Sequence, residues 1–127
     1  MGVGTPIDLI DNVSRGVDLF DCVIPTRNAR NGQLFTFDGK LNIRNSTYKT
    51  DFSLIDENGF SPISARYTKA YLHHLFKTEE MLGYRIATQH NLRFYIYLMK
   101  IMQEKIQNGK FKSWAKDFID RYSNSQL

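Results

Sequence analysis

The chain has 127 residues, of which 42% are hydrophobic and 24% are charged. A sequence of this length can bury one modest core, and its composition excludes wholesale disorder. The 17 lysines and arginines exceed the 13 acidic residues by four, a charge that suits an acidic partner such as RNA but is also common in proteins without one.

The cysteine count and the hydropathy pattern predict the cellular compartment of the protein. Cys22 is the single cysteine, so an intrachain disulfide is impossible and a reducing environment is expected. No stretch is apolar over the roughly 20 residues that a bilayer-spanning helix needs, and the N-terminus lacks a secretory signal pattern. We therefore expect a soluble cytoplasmic protein with no membrane partner.

The first element is predicted to be a short helix. Thr5 is a suitable N-cap, Pro6 fits the first turn, and Asp8 can reach back to the N-terminal amides. Gly16 is expected to end this helix.

An apolar run from Val17 to Ile24 follows and ends at Pro25. It predicts a buried strand of an α/β unit, which would need parallel neighbours that this chain does not supply. The next residues, PTRNARNG at 25–32, predict a polar loop with two arginines.

The remainder predicts a hairpin and then helices. Asp38-Gly39 favours a tight turn between short strands within residues 33–44, and residues 45–63 are expected to be an irregular connection. After Ser64 apolar residues recur at helical spacing, with Gly109 ending the longest helix. The aromatic and methionine stripe from Phe94 to Met102 is expected to be core or subunit interface.

Asp21 is the most informative residue for function. By alternation it shares a face with Val17, Leu19 and Val23, where an unpaired carboxylate is costly to bury. The residues alone leave two alternatives open: an aspartate satisfied by neighbouring amides or an arginine, and a catalytic carboxylate. Arg27 and Arg30 follow within a few residues, which suits a nucleophile that acts on a phosphate-bearing substrate.

The sequence closely resembles the bacterial-type tRNA-guanine transglycosylases, the queuine or pre-queuosine tRNA-ribosyltransferases. FDCVIPTRNARNG at 20–32 is the most specific part, and the resemblance continues through LNIRN, RYTKAYLHHLFK and QHNLRFYIYLMK. It covers essentially the whole chain.

The resemblance implies a fold and a division of the chain. The family has a TIM-like barrel with an inserted zinc subdomain, and a full (β/α)8 barrel takes about 250 residues. We therefore expect an α/β C-terminal fragment: last barrel units and hairpin at 1–44, a degenerate zinc subdomain at 45–90, and C-terminal helices at 91–127.

The resemblance also implies roles for individual residues. Asp21 matches the nucleophile that attacks the ribose C1′ at the wobble position of a tRNA anticodon loop. Guanine leaves, and a 7-deazaguanine base then displaces the aspartate. Two segments match RNA-binding parts of the family: Gly2, Val3, Gly4, Thr5, Pro6, Ile7 and Asp8, and then Thr26, Arg27, Asn28, Ala29 and Arg30. The helix start at Thr5-Pro6 is expected to offer free amides to a phosphate.

One departure concerns the zinc site of the family, which has three cysteines and a histidine. The matching positions here are Gly59, Ser61, Ser64 and His90. Neither glycine nor serine is a credible zinc ligand, so no metal or other cofactor is predicted.

A second departure is that the guanine pocket and the second catalytic aspartate lie in barrel strands outside this sequence. Three hypotheses follow: a truncated enzyme with little activity alone, a non-catalytic or RNA-binding remnant, and one half of a split enzyme completed by another barrel chain. A homodimer is a further possibility implied by the family.

Overall fold

The computed structural model describes residues 4–57 and 60–124. Gly2, Val3 and Gly59 lie outside the described residues. The described residues form five α-helices, two strands and one 3-10 helix, in chain order: α1 (Pro6–Ser14), α2 (Ile24–Arg30), β1 (Gln33–Thr36), β2 (Gly39–Asn42), the 3-10 helix (Ser46–Thr50), α3 (Lys69–Lys77), α4 (Met81–Gln107) and α5 (Phe111–Asn124).

Helix α1 begins where the sequence predicts it. The Thr5 side chain accepts a hydrogen bond from the Asp8 amide at 3.2 Å, and Pro6 occupies the first helical position. The helix ends at Ser14, and Gly16 follows with a φ of +95°. A left-handed glycine at this point stops the helix at little steric cost.

The prediction of a buried strand from Val17 to Ile24 is wrong. Residues 17–23, here called the linking segment, contain no strand, and Leu19 and Val23 are 89% and 62% exposed. Phe20 and Cys22 instead pack against the core. Successive side chains of the segment therefore alternate between core and solvent, as they do in a strand. A strand also needs a neighbouring strand with which to exchange backbone hydrogen bonds. The described residues provide none for this segment.

The prediction of a polar loop at residues 25–32 is also wrong, because most of this stretch is helix α2. Pro25 lies in its first turn, Ala29 is fully buried, and Gly32 with a φ of +83° follows its end. Proline at a helix start and glycine after its end are favourable positions for both residues. The turn-forming residues therefore mark the ends of a short helix.

Strands β1 and β2 form an antiparallel hairpin. Thr36 pairs with Gly39, so the two turn residues are Phe37 and Asp38, one position earlier than the Asp38-Gly39 turn predicted. The chain then passes through the 3-10 helix and an irregular stretch, described at residues 51–57 and 60–68, in which Leu54 forms an isolated bridge with Thr68.

Helix α4 is the central element and packs against α1, α2, α3, α5 and β1. Its C-terminal half contributes Phe94, Tyr95, Leu98 and Met102 to one core cluster, as the apolar stripe predicted, and its N-terminal half contributes Ile86 and Ala87 to another. Gly109 follows its end, as expected. Across residues 4–57 and 60–124, no helix is both long enough and apolar enough to cross a membrane.

Candidate active site

Asp21 lies in the linking segment and is exposed. Its neighbours Phe20 and Cys22 both pack against the core cluster around α4, so the backbone on each side of the carboxylate is anchored. Leu19 and Val23, which share the Asp21 face by alternation, point away from the core and are exposed. The carboxylate is therefore on an outward face, and the desolvation expected from the sequence is absent at this residue.

A close packing contact joins the first predicted RNA-binding segment to this region. Gly4 is buried against Cys22, and a Cβ added to Gly4 would come within 2.3 Å of the Cys22 Sγ. No larger residue fits there without movement, because real contacts at that distance are strongly repulsive. Gly4 thus brings the start of α1 next to the residue that follows Asp21.

Tyr95 also holds Gly4 in place. Its hydroxyl donates a buried hydrogen bond to the Gly4 carbonyl. Burial raises the pKa of the Tyr95 phenol well above its ordinary value, so the hydroxyl stays protonated and remains a donor. The sequence placed Tyr95 in an apolar stripe and gave no sign of this contact.

The start of α1 offers fewer free amides to a phosphate than the sequence predicted. Pro6 has no N–H, and the amides of Asp8 and Leu9 donate to the side chain and the carbonyl of Thr5. Pro6 is buried, while the Asp8 side chain is exposed beside this helix end and would repel a phosphate. Thr5 is exposed and Ile7 is packed on the core.

The second predicted RNA-binding segment is helix α2. Arg27 and Arg30 are both exposed, and their spacing of three residues places them on the same side of the helix. The remaining members have structural contacts: the Thr26 hydroxyl donates to the Val23 carbonyl at 3.1 Å, the Asn28 amide donates to Gln33 at 2.6 Å, and Ala29 is buried. The two arginines are thus the side chains of this segment most available to a ligand.

Asn91 is a structural residue that the sequence reasoning missed. Its side-chain nitrogen donates to the carbonyls of Pro25 at 3.0 Å and Gln33 at 2.9 Å, and its oxygen accepts from the Phe35 amide at 3.0 Å. Asn91 is fully buried on α4, so it fixes the start of α2 and strand β1 together. The only signal in the sequence was an amide side chain interrupting an apolar helix face.

An open groove of about 320 Å³ lies beside the linking segment and is mainly apolar. Asp18, Leu19, Phe20 and Cys22 line one part, and residues of α1, α2 and α4 line the rest: Leu9, Pro25, Leu92, Tyr95, Ile96 and Met99. Leu19 and Ile96 are strongly exposed. The groove is a large apolar surface next to Asp21 that this fold leaves uncovered.

The residues at the family zinc positions lie elsewhere, between the irregular stretch and α4. Ser61, Ser64 and His90 are all fully buried, and the Ser64 hydroxyl is 2.7 Å from Nδ1 of His90. Among the described residues, no group of three or more His, Cys, Asp or Glu side chains is arranged to hold a metal ion.

Comparison with known proteins identifies the family. The family model described as queuine tRNA-ribosyltransferase matches residues 1–124. The chain belongs to this family. The resemblance expected from FDCVIPTRNARNG and the later motifs is thereby confirmed.

Individual relatives have the same description. The queuine tRNA-ribosyltransferase of Francisella tularensis subsp. mediasiatica is 53% identical over 122 residues, which is 96% of this chain and 33% of the relative. That of Francisella tularensis subsp. novicida is 52% identical over the same shares. The chain therefore spans about a third of the length of the curated relatives that it matches.

Proposed function

We propose that this chain is the C-terminal part of a queuine tRNA-ribosyltransferase and carries the nucleophile for base exchange in tRNA. The observation that carries the proposal is the placement of Asp21. Its carboxylate is exposed on a backbone anchored by Phe20 and Cys22, and Cys22 contacts Gly4 of the first RNA-binding segment. An accessible but positioned carboxylate is what a nucleophile requires.

In the proposed reaction a carboxylate oxygen of Asp21 bonds to C1′ of the wobble ribose. The C1′–N9 bond breaks, and its electron pair leaves with guanine, which takes up a proton. A 7-deazaguanine base then loses a proton, attacks C1′ and releases the aspartate. Such double displacement retains the configuration of the sugar, as in glycosidases that form a covalent intermediate.

Arg27 and Arg30 are the proposed contacts to the anticodon loop. Guanidinium groups pair with phosphates in bidentate fashion and stack on unpaired bases, which suits an RNA loop. Both arginines lie on one side of α2, and α2 directly follows the linking segment that contains Asp21. Thr5 is exposed and is the described member of the first segment proposed to approach RNA, whereas Gly4 is buried against Cys22 and Tyr95 and is proposed to position that segment.

Activity is proposed to require barrel strands outside this sequence. The apolar groove and the exposed side chains of Leu19 and Val23 form an apolar face. Soluble monomeric proteins seldom leave a large apolar face in contact with water. In the TIM-like barrel that the family resemblance implies, further strands would cover this face and supply the guanine pocket.

The same face favours a second candidate, a split enzyme in which another polypeptide completes the barrel. A non-catalytic remnant is the alternative to both.

The decisive experiment is reconstitution. The chain is co-expressed with the remaining two thirds of a Francisella relative, and exchange of labelled guanine is measured in a tRNA with a GUN anticodon. We expect exchange by the reconstituted pair and nearly none by the chain alone. Asp21→Asn should abolish exchange, whereas Asp38→Asn, which changes an exposed turn carboxylate, should not. A folded pair that binds tRNA without any exchange would favour the remnant.

A further inference from the structure

Serine hydroxyls occupy two of the positions at which the family resemblance implies zinc ligands. Zinc in structural sites takes four ligands from thiolates, imidazoles and carboxylates, and a neutral serine hydroxyl is not among them. Ser61 and Ser64 therefore do not fit the metal, and His90 alone cannot hold it. Contacts of these buried side chains must therefore stabilise this part of the fold in place of a metal.

Both ring nitrogens of His90 have hydrogen-bond partners within the protein. Nε2 is 2.7 Å from the Phe35 carbonyl, and Nδ1 is 2.7 Å from the Ser64 hydroxyl. A carbonyl can only accept, so Nε2 carries the proton, and the lone pair on Nδ1 accepts from Ser64. No lone pair of the ring remains for a metal ion.

The three partners come from separate parts of the chain. Ser64 belongs to the irregular stretch, His90 to α4 and Phe35 to β1, and all three are buried. The ring of Phe60 lies 5.2 Å from the His90 ring, centroid to centroid, and 5.6 Å from that of Phe94. Aromatic packing thus covers the side of the imidazole next to the irregular stretch.

From this geometry we infer that the zinc position of the family is occupied in this chain by a metal-free cross-link: the Ser64 hydroxyl donates to His90, and His90 donates to the Phe35 carbonyl. The cross-link ties the irregular stretch to α4 and the hairpin, which is the task a structural metal performs by joining distant ligands. The inference concerns stability and does not depend on the proposed catalytic activity.

Ser61 provides a control within the same site. It is as buried as Ser64, yet its hydroxyl has no hydrogen-bond partner among the described residues. A buried hydroxyl without a partner is destabilising, whereas one that completes a hydrogen bond is not. The two serines should therefore respond in opposite ways to removal of the hydroxyl.

The test combines metal analysis, mutagenesis and nuclear magnetic resonance on the 127-residue chain. Protein purified from zinc-supplemented culture should contain no stoichiometric zinc, and its unfolding midpoint should not change with EDTA. Ser64→Ala should lower the folding equilibrium constant on the order of tenfold, whereas Ser61→Ala should leave it unchanged or raise it.

Nitrogen chemical shifts keep the inference testable even if Ser64→Ala does not fold. In the unmodified chain, His90 should give the signature of a neutral ring protonated at Nε2 with a hydrogen-bonded Nδ1. Stoichiometric zinc, a midpoint that falls with EDTA, a metal-bound or Nδ1-protonated ring, or equal losses for the two serine variants would overturn the inference.

Discussion

Asn91 and Tyr95 lie one turn apart on α4 and together fix both predicted RNA-binding segments. Asn91 donates to the Pro25 carbonyl at the start of α2, and Tyr95 donates to the Gly4 carbonyl before α1. Residues four apart in a helix project from the same face, so one rigid face of α4 sets the positions of two distant parts of the chain. The Asp21 segment lies between them in sequence.

Replacing Asn91 with alanine should destabilise the protein strongly. The substitution leaves the Phe35 amide and the carbonyls of Pro25 and Gln33 without this partner. Because an unsatisfied buried group costs about 1 to 3 kcal/mol, we expect the free energy of unfolding in urea to fall by about 3 kcal/mol.

Asn12→Ala is the matched control, since the Asn12 side chain donates to the Asp8 carbonyl at an exposed position. Its cost should be about 0.5 kcal/mol or less. Equal small losses for the two variants would show that Asn91 has no special role.

Gly4→Ala should destabilise through a steric clash with Cys22. The added Cβ would lie 2.3 Å from the Cys22 Sγ and 2.8 Å from its Cβ, so the start of α1 must move. Overpacking of this kind costs about 1 to 3 kcal/mol. Cys22→Ala removes the nearer atom and should partly rescue Gly4→Ala, with a coupling of about 1 kcal/mol in a double-mutant cycle of urea unfolding. Strictly additive losses would contradict the contact.

Local signals explain which elements the sequence could predict. The Thr5 cap, Pro6 and the glycine at 109 act within one or two helical turns, and the elements they mark are present. The segment from Val17 to Ile24 was predicted wrongly because strand formation depends on a partner elsewhere. Its alternation was retained, but the face expected to be buried, with Leu19 and Val23, is exposed, and Phe20 and Cys22 pack on the core instead.

Helix α2 at the candidate site also depends on tertiary contacts that the sequence alone does not reveal. Its residues are mostly polar, and what secures the helix is the burial of Ala29 and the bond from Asn91, 66 residues away from Pro25. By resemblance the sequence predicts roles for Asp21, Arg27 and Arg30, and these roles stay predictions. It could not show that Asn28 bonds Gln33, or that Tyr95 anchors Gly4, because those contacts arise from tertiary packing.

Arg27→Ala/Arg30→Ala should weaken tRNA binding and flatten its salt dependence. Each phosphate contact on a single strand contributes about 0.7 to the slope of log K against log salt, so loss of two should reduce the slope by about 1.4. Fluorescence anisotropy with a GUN-anticodon tRNA across a salt series measures this. Lys40→Ala/Lys49→Ala, which removes two exposed cations elsewhere, should leave most of the slope intact. A double arginine variant with the slope of the parent would exclude α2 from the RNA interface.

The stability of the fold should decrease in mild acid because of His90. Burial lowers the pKa of this histidine below its ordinary value of 6.5, although the bond to Phe35 and the nearby charge of Asp56 oppose the shift. The unfolded chain therefore takes up a proton near pH 6.5, while the folded chain does so only at lower pH. In that window the unfolded state binds more protons, so stability is fully present above about pH 6.5 and is lost as the pH falls.

The measurement is the free energy of unfolding in urea from pH 8 to pH 5, for the parent, His90→Gln and His74→Gln. A single group contributes a slope of at most about 1.4 kcal/mol per pH unit. His74 is exposed, so its variant should follow the parent curve, whereas His90→Gln should be less stable at pH 8 and lose much of the acid slope. The difference between the parent and His90→Gln isolates the buried imidazole, because the two proteins share every other residue. If the two curves ran parallel, protonation of His90 would not be what destabilises the fold, and the acid sensitivity would have to come from the carboxylates.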